Sequence, residues 1–125
     1  MDFRRVAITG IGAISCAGND VASLWDAVVN GKCGLGKVER FDLSAYRTRI
    51  AGEVKNFDPT LYMSEKEARR MDDFALYAVA AADEAMKNAG LPLDLRDGAV
   101  IDPDRMTVLV FDPFQCDMAF LFFFS

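Results

Sequence analysis

Residues 74–82 read FALYAVAAA, nine positions without a charge. A helix with this sequence has no polar side to turn to water, so the stretch predicts a deeply buried helix. Five of the nine side chains are alanine. Such small side chains let neighbouring backbones come close. A helix of this kind needs a partner layer, and the rest of the chain offers strands to supply it.

Residues 5–9 (RVAIT) read as a short buried strand ended by Gly10. Gly10, Gly12 and Gly18 then predict a tight, flexible loop, with Asn19 or Asp20 as the cap of a first helix. Val21, Leu24, Trp25, Val28 and Val29 recur at helical spacing and form one apolar face, which Gly31 ends. Residues 33–36 predict a glycine-rich turn. Residues 41–59 have no helical period, and within them residues 49–54 read as a short strand or an extended surface segment. Ser64 and Glu67 have the spacing of a capping box, so a helix starts there. Gly90, Leu91 and Pro92 form a stop signal, and residues 105–110 read as a second buried strand. The order strand–helix–helix–strand predicts an α/β layer architecture.

Composition excludes several classes. The net charge of −5 argues against a nucleic-acid binder, which needs a basic surface. Cys16, Cys33 and Cys116 make no CxxC pair and no disulfide framework. They read as reduced, structurally incidental thiols of a cytoplasmic protein. With no histidine and no close cysteine pair, no metal site is expected. No stretch approaches the roughly 18 apolar residues that span a membrane. Arg4 and Arg5 before an apolar run leave a signal peptide, or a lipid-modified Cys16, as a minority alternative. Residues 10–15 (GIGAIS) come near the dinucleotide fingerprint, but Ser15 replaces the third small residue and Gly18 and Asn19 delay the helix. No cofactor is therefore expected.

Several separated blocks carry a family resemblance. Residues 6–15 (VAITGIGAIS) with Gly18 and Asn19 are similar to the first strand and loop of β-ketoacyl-acyl-carrier-protein synthases. Leu24, Trp25, Gly31 and Lys32 continue the likeness. Residues 40–42 (RFD), 50–54 (IAGEV) and 57–59 (FDP) resemble the synthase II type more than the synthase I type. Residues 66–72 (KEARRMD) are the most specific block, followed by residues 77–78, 81–82, 84–85 and 89–91. The resemblance covers residues 1–110 and implies part of a thiolase-like fold, the strand–helix–helix–strand portion of its N-terminal half.

The resemblance also implies a reaction, the decarboxylating condensation of an acyl thioester with malonyl carrier protein in fatty-acid elongation. That chemistry needs a cysteine thiolate of lowered pKa, backbone N–H donors for the oxyanion and two histidines for the enolate. The chain has no histidine, and none of its three cysteines matches the family nucleophile. It is therefore expected to be a truncated acyltransferase, inactive alone, with no catalytic residue to name. The family's homodimer is not carried over.

Lys66, Arg69 and Arg70 fall at i, i+3 and i+4, one face of a helix. The spacing itself reads as a solvated face, with Glu65 and Glu67 as local ion-pair partners. The resemblance implies instead that these three side chains contact the acidic acyl carrier protein. Alternatives from other classes are a non-enzymatic carrier-protein-binding module and the start of a polyketide-type ketosynthase.

Residues 111–125 depart from the family. Six of the chain's ten phenylalanines lie in this tail, and residues 119–124 (AFLFFF) form an uncharged, proline-free window prone to aggregation. The tail is expected to be unrelated to the family, either out of frame or a degraded gene end, a genuine divergent terminus being the rival. A chain lacking family strands would leave the alanine-rich helix short of partners, so marginal folding is expected.

Overall fold

The computed structural model describes residues 7–91, 107–111 and 119–124. The strand expected at residues 5–9 is β1, and it spans Ile8–Ile14. Arg5 and Val6 lie outside the described residues. β1 therefore runs through Gly10 and Gly12 rather than ending in a loop there. The reason is the neighbouring helix. A Cβ on Gly10 would lie 2.2 Å from the Ala85 carbonyl oxygen, and one on Gly12 would lie 2.0 Å from that of Ala81. These two glycines let strand and helix backbones meet, an approach any side chain would block.

The turn comes later, at Ser15. Ser15 N–H donates to the Gly18 carbonyl at 2.8 Å, and the buried Ser15 hydroxyl accepts from the N–H groups of Ala17 and Gly18. Helix α1 follows at Val21–Val29. Asp20 is its cap, with Oδ1 accepting the Ser23 N–H at 2.6 Å, while Asn19 Nδ2 donates to the Lys55 carbonyl. Gly31 closes the helix at φ +62°, with Lys32 N–H bonded to the Ala27 carbonyl and Gly31 N–H to that of Val28. These two bonds form a Schellman motif.

The apolar face expected on α1 turns inward only at Val21 and Leu24, which are half-buried. Trp25 is 68 % exposed, and Val28 and Val29 are exposed as well. The buried residue of α1 is Ala27, whose small side chain lets the helix sit low on its neighbours. The periodicity fixed which residues share a face, but not which face would be covered.

β2 (Leu35–Lys37) and β3 (Ile50–Gly52) form an antiparallel hairpin, Gly36 opposite Ala51. Gly36 is thus a strand residue rather than part of a turn, and residues 49–54 take the strand option. A short 3-10 turn, Pro59–Leu61, precedes α2 (Glu65–Ala68). The long helix α3 spans Asp73–Asn88 and lies against β1. It ends as the stop signal predicts. Gly90 takes φ +70°, Leu91 N–H bonds the Met86 carbonyl at 2.9 Å, and Gly90 N–H bonds that of Lys87. Pro92 lies outside the described residues.

α3 is buried on one side only. Leu76, Tyr77, Ala80, Ala81 and Ala85 are buried, and Ala80, Ala81 and Ala85 have no exposed surface. Phe74 and Val79 face out, so the all-round burial expected for residues 74–82 is not realised. One layer, the sheet, covers the alanine side. The core gathers Ile14 with Tyr77, Ala80, Ala81 and Ala85, and Phe57, Tyr62 and Leu91 pack on it. Phe57 stacks on Tyr62 with centroids 5.9 Å apart and meets Tyr77 edge-on at 5.0 Å.

The expected second strand is β4 (Thr107–Phe111), Arg105 and Met106 lying outside the described residues. The window at residues 119–124 is itself a strand, β5 (Ala119–Phe124). It occupies the centre of a three-stranded sheet of order β1-β5-β4 and is antiparallel to both neighbours. β1 and β4 therefore run parallel to each other, one on either side. Among the described residues, no helix is long and apolar enough to cross a membrane.

Candidate functional site

Ser64 organises the basic face. Its hydroxyl accepts the Glu67 N–H, and the Glu67 carboxylate reaches back to the Ser64 N–H at 3.1 Å. This reciprocal capping box satisfies two otherwise free donors at the helix start. The Ser64 hydroxyl also donates to Glu67 Oε2. These bonds favour the ionised carboxylate and hold the Glu67 pKa below its ordinary value, the hydroxyl contributing most and the backbone N–H next.

Helix α2 itself is short, ending at Ala68, the residue that anchors it in the core. The helical course nevertheless continues past it. Arg69 N–H bonds the Glu65 carbonyl at 3.1 Å and Arg70 N–H that of Glu67 at 3.0 Å. Lys66, Arg69 and Arg70 consequently stay on one side, and together with Glu65 they line one shallow depression. All three are exposed. The spacing i, i+3 and i+4 thus brings the three predicted residues together.

Their environments differ. Arg69 Nη2 pairs with Glu65 Oε1 at 2.5 Å, both side chains being largely exposed. Glu67 is taken by the capping box. Lys66 and Arg70 make no ion pair among the described residues. The expectation of local ion pairs therefore holds for Arg69 with Glu65 and not for the other two cations. An anion entering this depression meets two unpaired cations and one already engaged.

Glu84, in the resembling block at residues 84–85, has a structural role that helical spacing does not announce. From the middle of α3, its carboxylate accepts the Ala13 N–H at 2.9 Å and the Val21 N–H at 2.8 Å. One side chain thereby ties β1 to the first turn of α1. A carboxylate inside an alanine-rich stretch was the available signal. Arg40, within the RFD block, pairs with Asp73 at the start of α3.

Of the cysteines, Cys16 is half-buried against Gly34 and Gly52, whose missing Cβ atoms make room for its sulfur. Cys33 is exposed, and Cys116 lies outside the described residues. Among the described residues, no three Cys, Asp or Glu side chains converge as metal ligands. Gly10 and Gly12, the near-match to a dinucleotide loop, face the backbone of α3, so that backbone fills the space where a pyrophosphate would approach.

Comparison with known proteins points one way. Residues 3–108 match the family model described as β-ketoacyl synthase, N-terminal domain. The 3-oxoacyl-[acyl-carrier-protein] synthase 2 of Vibrio harveyi is 44 % identical over 99 residues, covering 79 % of this chain and 24 % of the relative. The enzyme of the same name from Staphylococcus aureus strain N315 is 44 % identical over 107 residues, covering 86 % and 25 %. The chain thus spans about a quarter of the length of the curated relatives it matches.

Among solved structures, the ishigamide ketosynthase/chain length factor is similar with a TM-score of 0.65 and 35 % identity, covering 71 % of this chain and 22 % of its own. A type II polyketide ketosynthase in complex with its acyl-carrier protein gives 0.58 and 29 %, covering 82 % and 25 %. The fold is a partial α/β piece of the thiolase-like fold of ketosynthases. With residues 3–108 of 125 matched, the chain belongs to the β-ketoacyl synthase N-terminal domain family.

Proposed function

We propose that this chain is the N-terminal portion of a β-ketoacyl-acyl-carrier-protein synthase of the synthase II type, a cytoplasmic enzyme of fatty-acid elongation. Within it, the α2 turn receives the acidic acyl carrier protein through Lys66, Arg69 and Arg70. The observation that carries this reading is the shared, exposed depression of these three cations in a protein of net charge −5. Long-range attraction to an acidic partner acts through such a local patch, even against an unfavourable net charge. The likeness to a ketosynthase solved with its acyl-carrier protein supports the partner class.

The condensation itself draws on groups these residues do not contain. Two imidazoles stabilise the enolate in the reaction the family resemblance implies, and the 125 residues have no histidine. The portion acts by docking and by scaffolding, and it is inactive alone. Residues 111–125 are proposed to be out of frame with the family sequence. Reading the coding DNA downstream in the other two frames tests this, and the idea fails if neither frame restores family sequence.

The likeness to a type II polyketide ketosynthase keeps a polyketide-type enzyme as the second reading. Titration with a fatty-acid and a polyketide carrier protein, at low and at high salt, tests both. Binding at low salt that is lost at high salt and on charge reversal at Arg69 and Arg70 supports docking at α2. The better-bound carrier protein selects the pathway. Absence of binding to either at low salt overturns the docking reading.

A further inference from the structure

The ion pair on the basic face changes how that face works. Three cations and one carboxylate line the depression. The carboxylate, Glu65, already holds Arg69 at 2.5 Å, while Lys66 and Arg70 have no such partner among the described residues. Among the described residues Glu67 makes no ion pair with these cations; its Oε2 accepts both the Ser64 hydroxyl and the Ser64 N–H. The face is therefore divided between two available cations and one occupied.

We infer that Glu65 is a built-in competitor for the acidic partner: Lys66 and Arg70 make first contact, and Arg69 joins only by exchanging Glu65 for a carboxylate of the partner. The inference rests on the reading of this face as the carrier-protein docking site and deepens it. The physical reason is the near-cancellation of an exchange. Arg69 gives up one exposed carboxylate to gain another, so only the difference between two similar pairs remains. Glu65 also stands as a like charge beside any acidic partner, which raises the barrier to encounter at low salt. Glu65 thus attenuates binding twice, by occupying Arg69 and by repulsion.

A set of variants of the full chain, titrated with acidic holo acyl carrier protein at low salt, separates the possibilities. Glu65→Gln is expected to tighten binding about two- to threefold, the scale of one exposed ion pair. Arg70→Ala is expected to weaken binding more than Arg69→Ala. In the Arg69→Ala background, Glu65→Gln is expected to give a smaller gain, since the competition is already gone and only the repulsion is relieved. Circular dichroism melts of each variant show whether α2 and its surroundings stay folded, and Lys66→Gln gives an independent removal of one first-contact cation.

The outcomes distinguish the two levels of the argument. If folded Arg70→Ala and Lys66→Gln variants bind as tightly as the parent, the docking reading fails and this inference with it. If both weaken binding but Glu65→Gln leaves it unchanged or weaker, the docking reading stands and the competitor role is overturned. An equal gain from Glu65→Gln with and without Arg69 overturns it as well, because the effect would then be net charge alone.

Discussion

Gly12 of β1 lies directly beneath the carbonyl of Ala81 in α3, so close that a Cβ at residue 12 would stand 2.0 Å from that oxygen. The contact is backbone to backbone, and no flexible side chain can yield. Gly12→Ala must push the strand and helix apart across a core in which Ala80, Ala81 and Ala85 have no exposed surface. The expected cost is about 3 kcal/mol, the upper end of ordinary overpacking. Urea unfolding should show a lower midpoint with an unchanged slope. A loss below about 0.5 kcal/mol, the scale of an indifferent surface change, would mean the strand and helix are not held this close.

Glu84 supplies a second tie at the same junction. Its two carboxylate oxygens accept the N–H groups of Ala13 and Val21, which sit on different elements. Glu84→Ala leaves both donors without that acceptor, at an expected cost of about 2 kcal/mol given the part exposure of the site. Glu84→Gln keeps one acceptor oxygen and presents an NH2 group to the other donor. It should therefore also destabilise, by about half as much. Amide hydrogen exchange offers a local readout. Protection at Val21 and Ala13 should fall in Glu84→Ala before the rest of α3 is affected.

Local chemistry was legible where the chain acts on itself over a few residues. The Ser64–Glu67 box, the glycines at 31 and 90, and the i, i+3, i+4 placement of Lys66, Arg69 and Arg70 all depend on neighbours along the chain. What escaped was non-local. Gly10 and Gly12 look like a loop in sequence because glycine ends strands, and only the approach of residues some seventy positions away makes them strand residues. The α1 stripe announces a shared face, yet the packing surface chosen is Ala27. The phenylalanine-rich window shows its strand propensity openly, but nothing local tells that it pairs with β1 and β4 at once. At the basic face, spacing made both Glu65 and Glu67 candidate partners. In the structure Glu67 Oε2 closes the capping box, and Arg69 pairs with Glu65.

The end of α3 gives a conformational contrast to Gly12. Gly90 has φ +70°, and among the described residues an added Cβ would touch nothing. Gly90→Ala should then cost only the left-handed backbone penalty, about 1 kcal/mol. Gly90→Asn should cost less, because asparagine tolerates this region better. The order Gly12→Ala, then Gly90→Ala, then Gly90→Asn in falling cost, measured in one denaturant series, separates steric from conformational uses of glycine. Equal losses for alanine and asparagine at residue 90 would contradict the assignment.

The capping box should respond to acid. Because Ser64 bonds the ionised Glu67 in the folded chain, the folded pKa lies below the unfolded one. The stabilisation is therefore fully present above the ordinary glutamate range, and it is lost as pH falls through that range and on through the depressed folded value. NMR titration of the Glu67 side-chain carboxyl should show a midpoint below that of an unstructured glutamate. Ser64→Ala removes the one hydroxyl that both accepts the Glu67 N–H and donates to the Glu67 carboxylate, so the midpoint should move back up while the backbone bond retains a smaller depression. The pH dependence of unfolding should flatten in the same variant over the same acidic range. A Glu67 midpoint that Ser64→Ala leaves in place would show that the hydroxyl does not hold the carboxylate, and the continuous turn presenting Lys66, Arg69 and Arg70 would then need another origin.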